Sequence, residues 1–197
     1  MKILIACEFS GIVRDAFRER GHDAWSCDLL PTEKEGLHIQ DDVLKCLDNG
    51  WDLMIAHPPC TYLCVAGLHY SKKNHERMEK TKAAYGFFLN LYNAPIKRIC
   101  IENPVGVMST WFRKPDQIIN PYDFGTPERK KTCLWLKGLS PLAKQTKIKV
   151  IPKKTIIRKT GKKAGQPYNY YWRQGKSAHD RSRTFGCIAK AMAEQWG

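Results

Sequence analysis

The sequence predicts an α/β protein built on a doubly wound, mostly parallel sheet, with a small basic, β-rich appendage. Three observations predict it. Short apolar runs bounded by turn residues alternate with stretches of helical spacing, the pattern of a parallel sheet covered by helices. The polar clusters of the first half fall at the ends of those runs, where such sheets bind ligands. A basic, β-branched stretch near the C-terminus has a different character from the rest.

Lys2 to Cys7 is an apolar run that reads as a first strand. Gly11 opens a helix with apolar positions at Ile12, Ala16 and Phe17, and Gly21 closes it. Asp23 to Leu29 reads as a second strand, His38 to Val43 as a third and Asp52 to Ala56 as a buried fourth. Pro58 and Pro59 cannot continue a central strand, so the chain must leave the sheet there. Residues 76–92 have helical spacing, and Arg98 to Ile101 form another buried strand that stops at Glu102-Asn103-Pro104. KTCLWLKGL, after Pro127, reads as a hairpin, followed by the basic segment KIKVIPKKTIIRKTGKK, an aromatic patch from Tyr168 to Trp172 and a helix from about Thr184 to Trp196.

The chain of 197 residues carries a formal charge of +14 and is 43% hydrophobic, enough apolar content to bury a core and exclude wholesale disorder. No apolar run is long enough for a transmembrane helix, and MKILIACEFSG does not read as a secretory signal. Eight cysteines, mostly within strand-like runs, fit reduced thiols in a cytoplasmic protein better than a disulfide framework. Charge is segregated: residues 1–139 hold 19 basic and 17 acidic side chains, whereas residues 140–197 hold 14 and 2. A polyanionic partner for the C-terminal third follows, with a solvated basic face as the alternative. No segment implies an obligate protein partner.

Two positions carry chemistry. Cys60, in IAHPPCTYLC, follows two prolines at a strand end, a place suited to presenting a nucleophilic thiol at the rim of a cleft. Glu102, in RICIENPVGV, is a carboxylate at the end of a buried strand, costly unless it is hydrogen-bonded or functional. A buried structural cysteine and a turn-capping glutamate are the competing readings.

Together, a strand-end Pro-Cys and a strand-end Glu-Asn about forty residues later resemble the DNA cytosine-5 methyltransferase family. The remaining pieces occur in matching order. Phe9-Ser10-Gly11 lies where that family has its FxGxG methyl-donor loop, and Asp28 stands where an acidic residue holds the donor's ribose. Asp42 stands where an aspartate holds the adenine amino group. FGTPERKKTCLWL resembles the G-x-P-Q-x-R-x-R segment, and FGCIAKAMAEQW the returning C-terminal helix. The chain departs from the pattern in having one glycine in the first loop, Thr61 and Cys64 in place of Gln and Ser after the cysteine, and Glu128, Lys130 and Thr132 at the Gln and Arg positions. Arg129 is the nearest guanidinium. The region between that segment and the last helix is short, so the resemblance is to a compact, phage-type member.

The resemblance implies a Rossmann-like class I methyltransferase fold, with residues 1–139 as a catalytic, donor-binding domain, 140–182 as a minimal target-recognition segment and 183–197 as a helix returning to the catalytic domain. It implies S-adenosylmethionine as cofactor, held by Phe9, Ser10, Gly11, Asp28, Asp42 and Pro59, and DNA as partner. Cys60 would attack carbon 6 of a flipped-out cytosine, Glu102 would hold or protonate ring nitrogen 3, and a cation near Arg129 would hold the exocyclic oxygen. Lys153, Lys154, Lys162, Lys163, Tyr171 and Trp172 would supply phosphate contacts and stacking surfaces, with low sequence specificity.

Other readings stand beside this one. His57, Cys60 and Cys64, with His69 and His75 downstream, have ligand types suited to zinc, but the pairs do not repeat and no metal site is assigned. The alternatives are a nucleic-acid-binding protein on a decayed methyltransferase fold, which the departures support and the retention of Cys60, Glu102, Asp28 and Asp42 together argues against, and the same chemistry on RNA, a free nucleotide or with a modified donor.

Overall fold

A computed structural model describes residues 1–65, 67, 70, 74–145, 154–157, 159–160, 164–170 and 177–197. Its centre is a seven-stranded sheet of β1 (Lys2–Ala6), β2 (Asp23–Asp28), β3 (His38–Gln40), β4 (Leu53–Ala56), β5 (Arg98–Pro104), β6 (Gln117–Ile119) and β7 (Thr132–Lys137). The strand order is β3-β2-β1-β4-β5-β7-β6. The pairs from β3 to β5 are parallel, and β7 runs antiparallel to both its neighbours. The fold is therefore the doubly wound, Rossmann-like sheet that the alternation of runs predicts. The order reverses between β1 and β4, so the ligand crevice is expected beyond their carboxyl ends.

Side-chain alternation covers both faces. Ile3, Ile5, Leu53 and Ile55 pack with Val13 and Phe17 of α1 (Ile12–Arg18) and with Ile188, Met192 and Trp196 of the last helix, Gly186–Trp196. Leu4, Ala6, Met54 and Ala56 face the other way, with Phe88 and Leu91 of α2 (His75–Tyr92). Short helices α3 (Met108–Trp111) and α4 (Ala178–Ser182) complete the described helices, and the last helix is α5. Among the described residues no helix is long and apolar enough to cross a membrane.

Three sequence expectations change. KTCLWLKGL is a single strand, not a hairpin. Cys133, Leu134 and Trp135 are fully buried between β5 and β6, and the chain turns only at Gly138, whose φ is +63°. The strand expected to stop at Ile101 runs on to Pro104, because β7 continues to pair with it after β4 has ended. The third strand stops at Gln40, since Asp42 caps a 3-10 turn over Val43–Lys45 by accepting from the Leu44 amide at 3.0 Å.

Residues 140–145 lie against the main body. Leu142 is buried, Gln117 and Leu142 exchange two hydrogen bonds of 2.8 Å, and Lys144 pairs with the buried Asp123 at 3.0 Å. In the basic region, β8 (Lys154–Ile157) and β9 (Pro167–Tyr170) form a two-stranded antiparallel sheet, the β-rich appendage of the sequence reading. Lys153, Lys162, Lys163, Tyr171 and Trp172 lie outside the described residues; Lys154 begins β8, but its side chain lies outside them too.

Candidate active site

At the end of β1 the backbone turns sharply. Cys7 adopts φ +57°, a left-handed conformation rare outside glycine, and Gly11 adopts φ +70° at the start of α1. Between them the buried Glu8 carboxylate accepts from the Val13 amide at 2.7 Å, the Arg14 amide at 3.2 Å and the Ser10 hydroxyl at 3.1 Å. An anion at a helix N-terminus satisfies amides that no carbonyl reaches. Arg14, also fully buried, donates to Ser26 Oγ, Thr32 Oγ1 and the carbonyls of Lys34 and Glu35, fastening the loop after β2 to α1.

A cavity of about 460 Å³ opens beside this turn, lined by Cys7, Asp28, Asp42, Val43, Pro59 and Phe87 among others. It lies where strand order reverses. Asp28 ends β2 and accepts from the Leu30 amide at 3.0 Å through Oδ1; Asp42 engages Leu44 through its own Oδ1. Burial, followed by the charges of Asp28 and Asp42, pushes the Cys7 thiol up to about 12, so both carboxylates act on one spot. The structure thus brings Asp28, Asp42 and Pro59 to one cavity. Phe9 and Ser10 instead line a small neighbouring cavity of about 50 Å³ with His57, Arg183 and Thr184, and Gly11 shapes the turn without lining either. Tyr62, Lys80, Ala83, Ala84 and Phe87 also wall the larger cavity. Sequence reasoning did not single them out for it: Lys80, Ala83, Ala84 and Phe87 come from α2, far along the chain, and Tyr62 from the turn after Cys60.

Cys60 lies in the turn after β4, and Glu102 lies on β5 one residue past its pairing with β4. Ile55 and Ala56 of β4 pair with Cys100 and Ile101 of β5, so the chain leaves β4 for the Pro-Pro-Cys turn where β5 continues through Glu102, paired with Leu134 of β7. Asn103 ties the two together, its Nδ2 donating to the Pro58 carbonyl at 2.8 Å. After Cys60 a helical turn forms, with the Leu63 and Cys64 amides donating to the Cys60 carbonyl, both at 3.0 Å. Cys64 bridges to Gly106, where a Cβ would collide with the Leu63 carbonyl, so only glycine allows this approach.

The carboxylate of Glu102 is largely buried and pairs through Oε2 with His57 Nδ1 at 3.0 Å; Thr184 Oγ1 donates to the same oxygen at 3.4 Å. Burial alone would raise the Glu102 pKa. The hydrogen bond and charge of His57, with Lys130 and Thr184, outweigh it and hold the group down to about 2. His57 answers in the other direction: burial opposes its charge, but Glu102, with a contribution from Glu8, raises its pKa above the usual value. The pair is held by the hydrogen bond between His57 Nδ1 and Glu102 Oε2.

Cys60 is exposed, and its thiol is shifted upward, first by desolvation and then by Cys64 and Glu102, against a lowering by Lys130. The cation whose charge reaches Cys60, His57 and Glu102 alike is Lys130. Its amino group donates to the Arg183 carbonyl at 3.3 Å and lies over the Phe185 ring. Arg129, the guanidinium singled out in the sequence, is its chain neighbour.

The C-terminal segment closes the far side. Arg183 forms two bonds to Glu33, of 2.6 and 3.0 Å, and His179 stacks on Phe9 at 4.7 Å between ring centroids. Thr184 then reaches Glu102, and α5 packs on α1. Sequence reasoning missed Thr184; it quoted Asn103 only within the Glu-Asn pair, Lys130 only at an arginine position of the family segment, and His57 only before the Pro-Pro-Cys turn and as a zinc ligand. The adjacency of Asn103 to Glu102 was the one local signal available.

Thirty-two solved chains match this one in structure. One, from E. coli, is described as a "putative DNA modification methyltransferase encoded within prophage"; it is 13% identical, with a TM-score of 0.47 over 79% of this chain. The chain spans 56% of that protein's length. No protein-family model matches the chain, and no curated protein matches it.

Proposed function

We propose that the chain is an S-adenosylmethionine-dependent methyltransferase that modifies carbon 5 of cytosine in DNA through a covalent Cys60 intermediate. The observation that carries this reading is the juxtaposition of Cys60, in the turn after β4, with Glu102, on β5 just past its pairing with β4, cross-tied by Asn103, beside a cavity holding two carboxylates at the sheet's switch point.

The large cavity fits the donor. Its volume falls in the range of cofactor sites. Asp28 and Asp42 each engage a backbone amide through Oδ1, and Oδ2 is the oxygen for a ribose hydroxyl or an adenine amino group. Val43, Phe87 and Tyr62 offer apolar walls for a flat ring. Bound there, S-adenosylmethionine supplies an electrophilic methyl group.

The protein's residues make the base reactive. Cytosine carbon 5 is a poor nucleophile until a thiolate adds to carbon 6. Cys60 Sγ forms that bond, the ring's carbon 5–carbon 6 double bond opens, and negative charge develops toward ring nitrogen 3 and the exocyclic oxygen. Glu102, taking up a proton as the base enters, holds or protonates ring nitrogen 3 and offsets the charge there, and Lys130 or its neighbour Arg129 offsets the charge on the oxygen. After methylation, water takes the carbon 5 proton, the carbon 5–carbon 6 double bond re-forms, and the bond from Cys60 Sγ to carbon 6 breaks to release the thiolate. The environment raises the Cys60 pKa in the free protein, with Lys130 the charge that favours the thiolate, so the thiol passes its proton to water as the bond to carbon 6 forms. The base leaves the helical stack to reach it, at a cost of a few kcal/mol.

The test uses duplex DNA carrying 5-fluorocytosine, whose fluorine blocks the elimination step. An adduct that needs donor, maps to Cys60 and survives Cys64→Ser is the expected result. An adduct on Cys64, or none on any cysteine across DNA and RNA substrates, overturns the reading.

A further inference from the structure

Cys7, Cys27 and Cys46 have no task in the mechanism above, yet they gather at the larger cavity. Cys7 and Cys27 line it, and the sulfur of the buried Cys46 lies 3.8 Å from that of Cys27, in hydrogen-bond contact. Cys27 Sγ is also 3.4 Å from the Asp41 carbonyl oxygen, and Cys46 Sγ 3.2 Å from that of Val43. Their positions in the chain tie this pair to the cavity. Cys27 immediately precedes Asp28 on β2, and Cys46 ends the 3-10 turn that Asp42 opens. The two segments that carry the cavity carboxylates therefore meet at two sulfurs.

We propose that Cys27 and Cys46 are an oxidisable dithiol on which a hydroperoxide forms a disulfide, and that this bond distorts the larger cavity so that it releases the donor. The effect on the donor rests on the reading of that cavity as the S-adenosylmethionine site; formation of the bridge does not.

The contact between the thiols lowers the pKa of Cys46 and raises that of Cys27, so Cys46 supplies the thiolate. Cys46 Sγ attacks one oxygen of the hydroperoxide and the O–O bond breaks. The products are a sulfenic acid and, once the proton given up by Cys46 is taken up, water or an alcohol. Cys27 Sγ then attacks the Cys46 sulfur, the S–S bond forms, and the S–O bond breaks to release water carrying the Cys27 proton. Two electrons pass from the sulfurs to the peroxide.

A disulfide is about 2.05 Å long, so the sulfurs must close by well over an ångström. Cys27 cannot give, because it is paired with Ala6 of β1 on one side and Ile39 of β3 on the other. The Cys46 carbonyl is held by Trp51 Nε1 at 2.7 Å, so the displacement passes into the Val43–Lys45 turn and its capping Asp42. Asp42 and Val43 both line the cavity. The two thiols are 0% and 5% exposed, so a small oxidant reaches them through opening of that three-residue turn. A donor seated against Asp42 and Val43 holds the turn shut. Bridge and donor thus oppose each other, as linkage requires.

The experiment treats the reduced protein with hydrogen peroxide, with and without saturating S-adenosylmethionine. Bridges are mapped by mass analysis of digests, and donor affinity is measured by calorimetry before oxidation, after it, and after dithiothreitol. A Cys27–Cys46 bridge is expected, with donor affinity lowered about tenfold or more by loss of a charged hydrogen bond and restored by dithiothreitol. Bound donor should slow bridging by about fivefold or more. Cys46→Ala should bind donor within about twofold of wild type when reduced, since Cys46 does not line the cavity, and should keep that affinity after peroxide. If Cys46→Ala does not fold, Cys46→Ser decides by the same comparison. The inference is overturned if the bridge runs through Cys7 or does not form, if it forms without weakening donor binding or equally fast with donor bound, or if the variant loses affinity on oxidation as wild type does. If the reduced wild type binds no donor, the donor-site reading fails and the coupling falls with it, while the digests still decide whether the bridge forms.

Discussion

Single residues carry this site by charge and by the bonds they leave open. Asp28 sits at the carboxyl end of β2 and lines the larger cavity beside Asp42. If its second oxygen takes a ribose hydroxyl, Asp28→Ala should weaken S-adenosylmethionine binding by about 1.5 to 3 kcal/mol, the usual worth of hydrogen bonds to a charged group. Calorimetry with donor alone measures this without any nucleic acid, and an unchanged affinity would remove Asp28 from the donor site. Glu102 was legible in the sequence as an oddity, a carboxylate after an apolar run. Its charge state was not, because it depends on His57, 45 positions earlier, and on Thr184, 82 positions later.

At the scale of elements, the site depends on how closely two loops approach. The turn after Cys60 and the segment after β5 meet at Cys64 and Gly106, where the Leu63 carbonyl occupies the space a side chain would need; the Val107 amide donates to that carbonyl at 2.8 Å. Gly106→Ala must push the turn outward, carrying Cys60 with it. The expected outcome is a loss of adduct formation of about a hundredfold, because displacement of a nucleophile by about an ångström has that effect. Donor affinity should be nearly unchanged, since Gly106 does not line the larger cavity. Adduct formation at the wild-type rate would show that the turn tolerates the displacement. The hairpin expected at KTCLWLKGL belongs to the same scale. Its apolar run is equally suited to one central strand, and the partners that decide, β5 and β6, come from earlier in the chain.

For the whole molecule, the distribution of charge gives the remaining prediction. The excess of basic residues falls beyond position 139, the stretch of sequence that includes β8 and β9, whereas residues 1–139 are nearly neutral. Lys144 belongs to the sheet domain, because its partner is the buried Asp123, so it is not counted among the phosphate contacts. Replacing Lys153, Lys154, Lys162 and Lys163 with Gln should flatten the slope of log affinity against log salt on duplex DNA by roughly two to four units, at about 0.9 per phosphate. Donor binding should be unaffected. Retention of both affinity and slope would make the basic region a solvated face. The segment has few polar side chains of the kind that read base edges, so the same measurements on unrelated duplexes should give similar affinities.

The sequence by itself determined the alternation of buried strands and helices, and hence the doubly wound sheet, because the apolar period is written locally in each run. It also marked Cys60 and Glu102, since prolines after a strand and a carboxylate after an apolar run are visible without a partner; Asp28 and Asp42 were marked by the family resemblance. Only the tertiary structure decided which of these share a cavity, that Phe9 and Ser10 line a separate one, and that Glu102 is held by His57 and Thr184. Hydrogen bonds and charges act over a few ångströms of space with no regard for sequence distance, so the state of a buried ionisable group is set when the strands come together and not before.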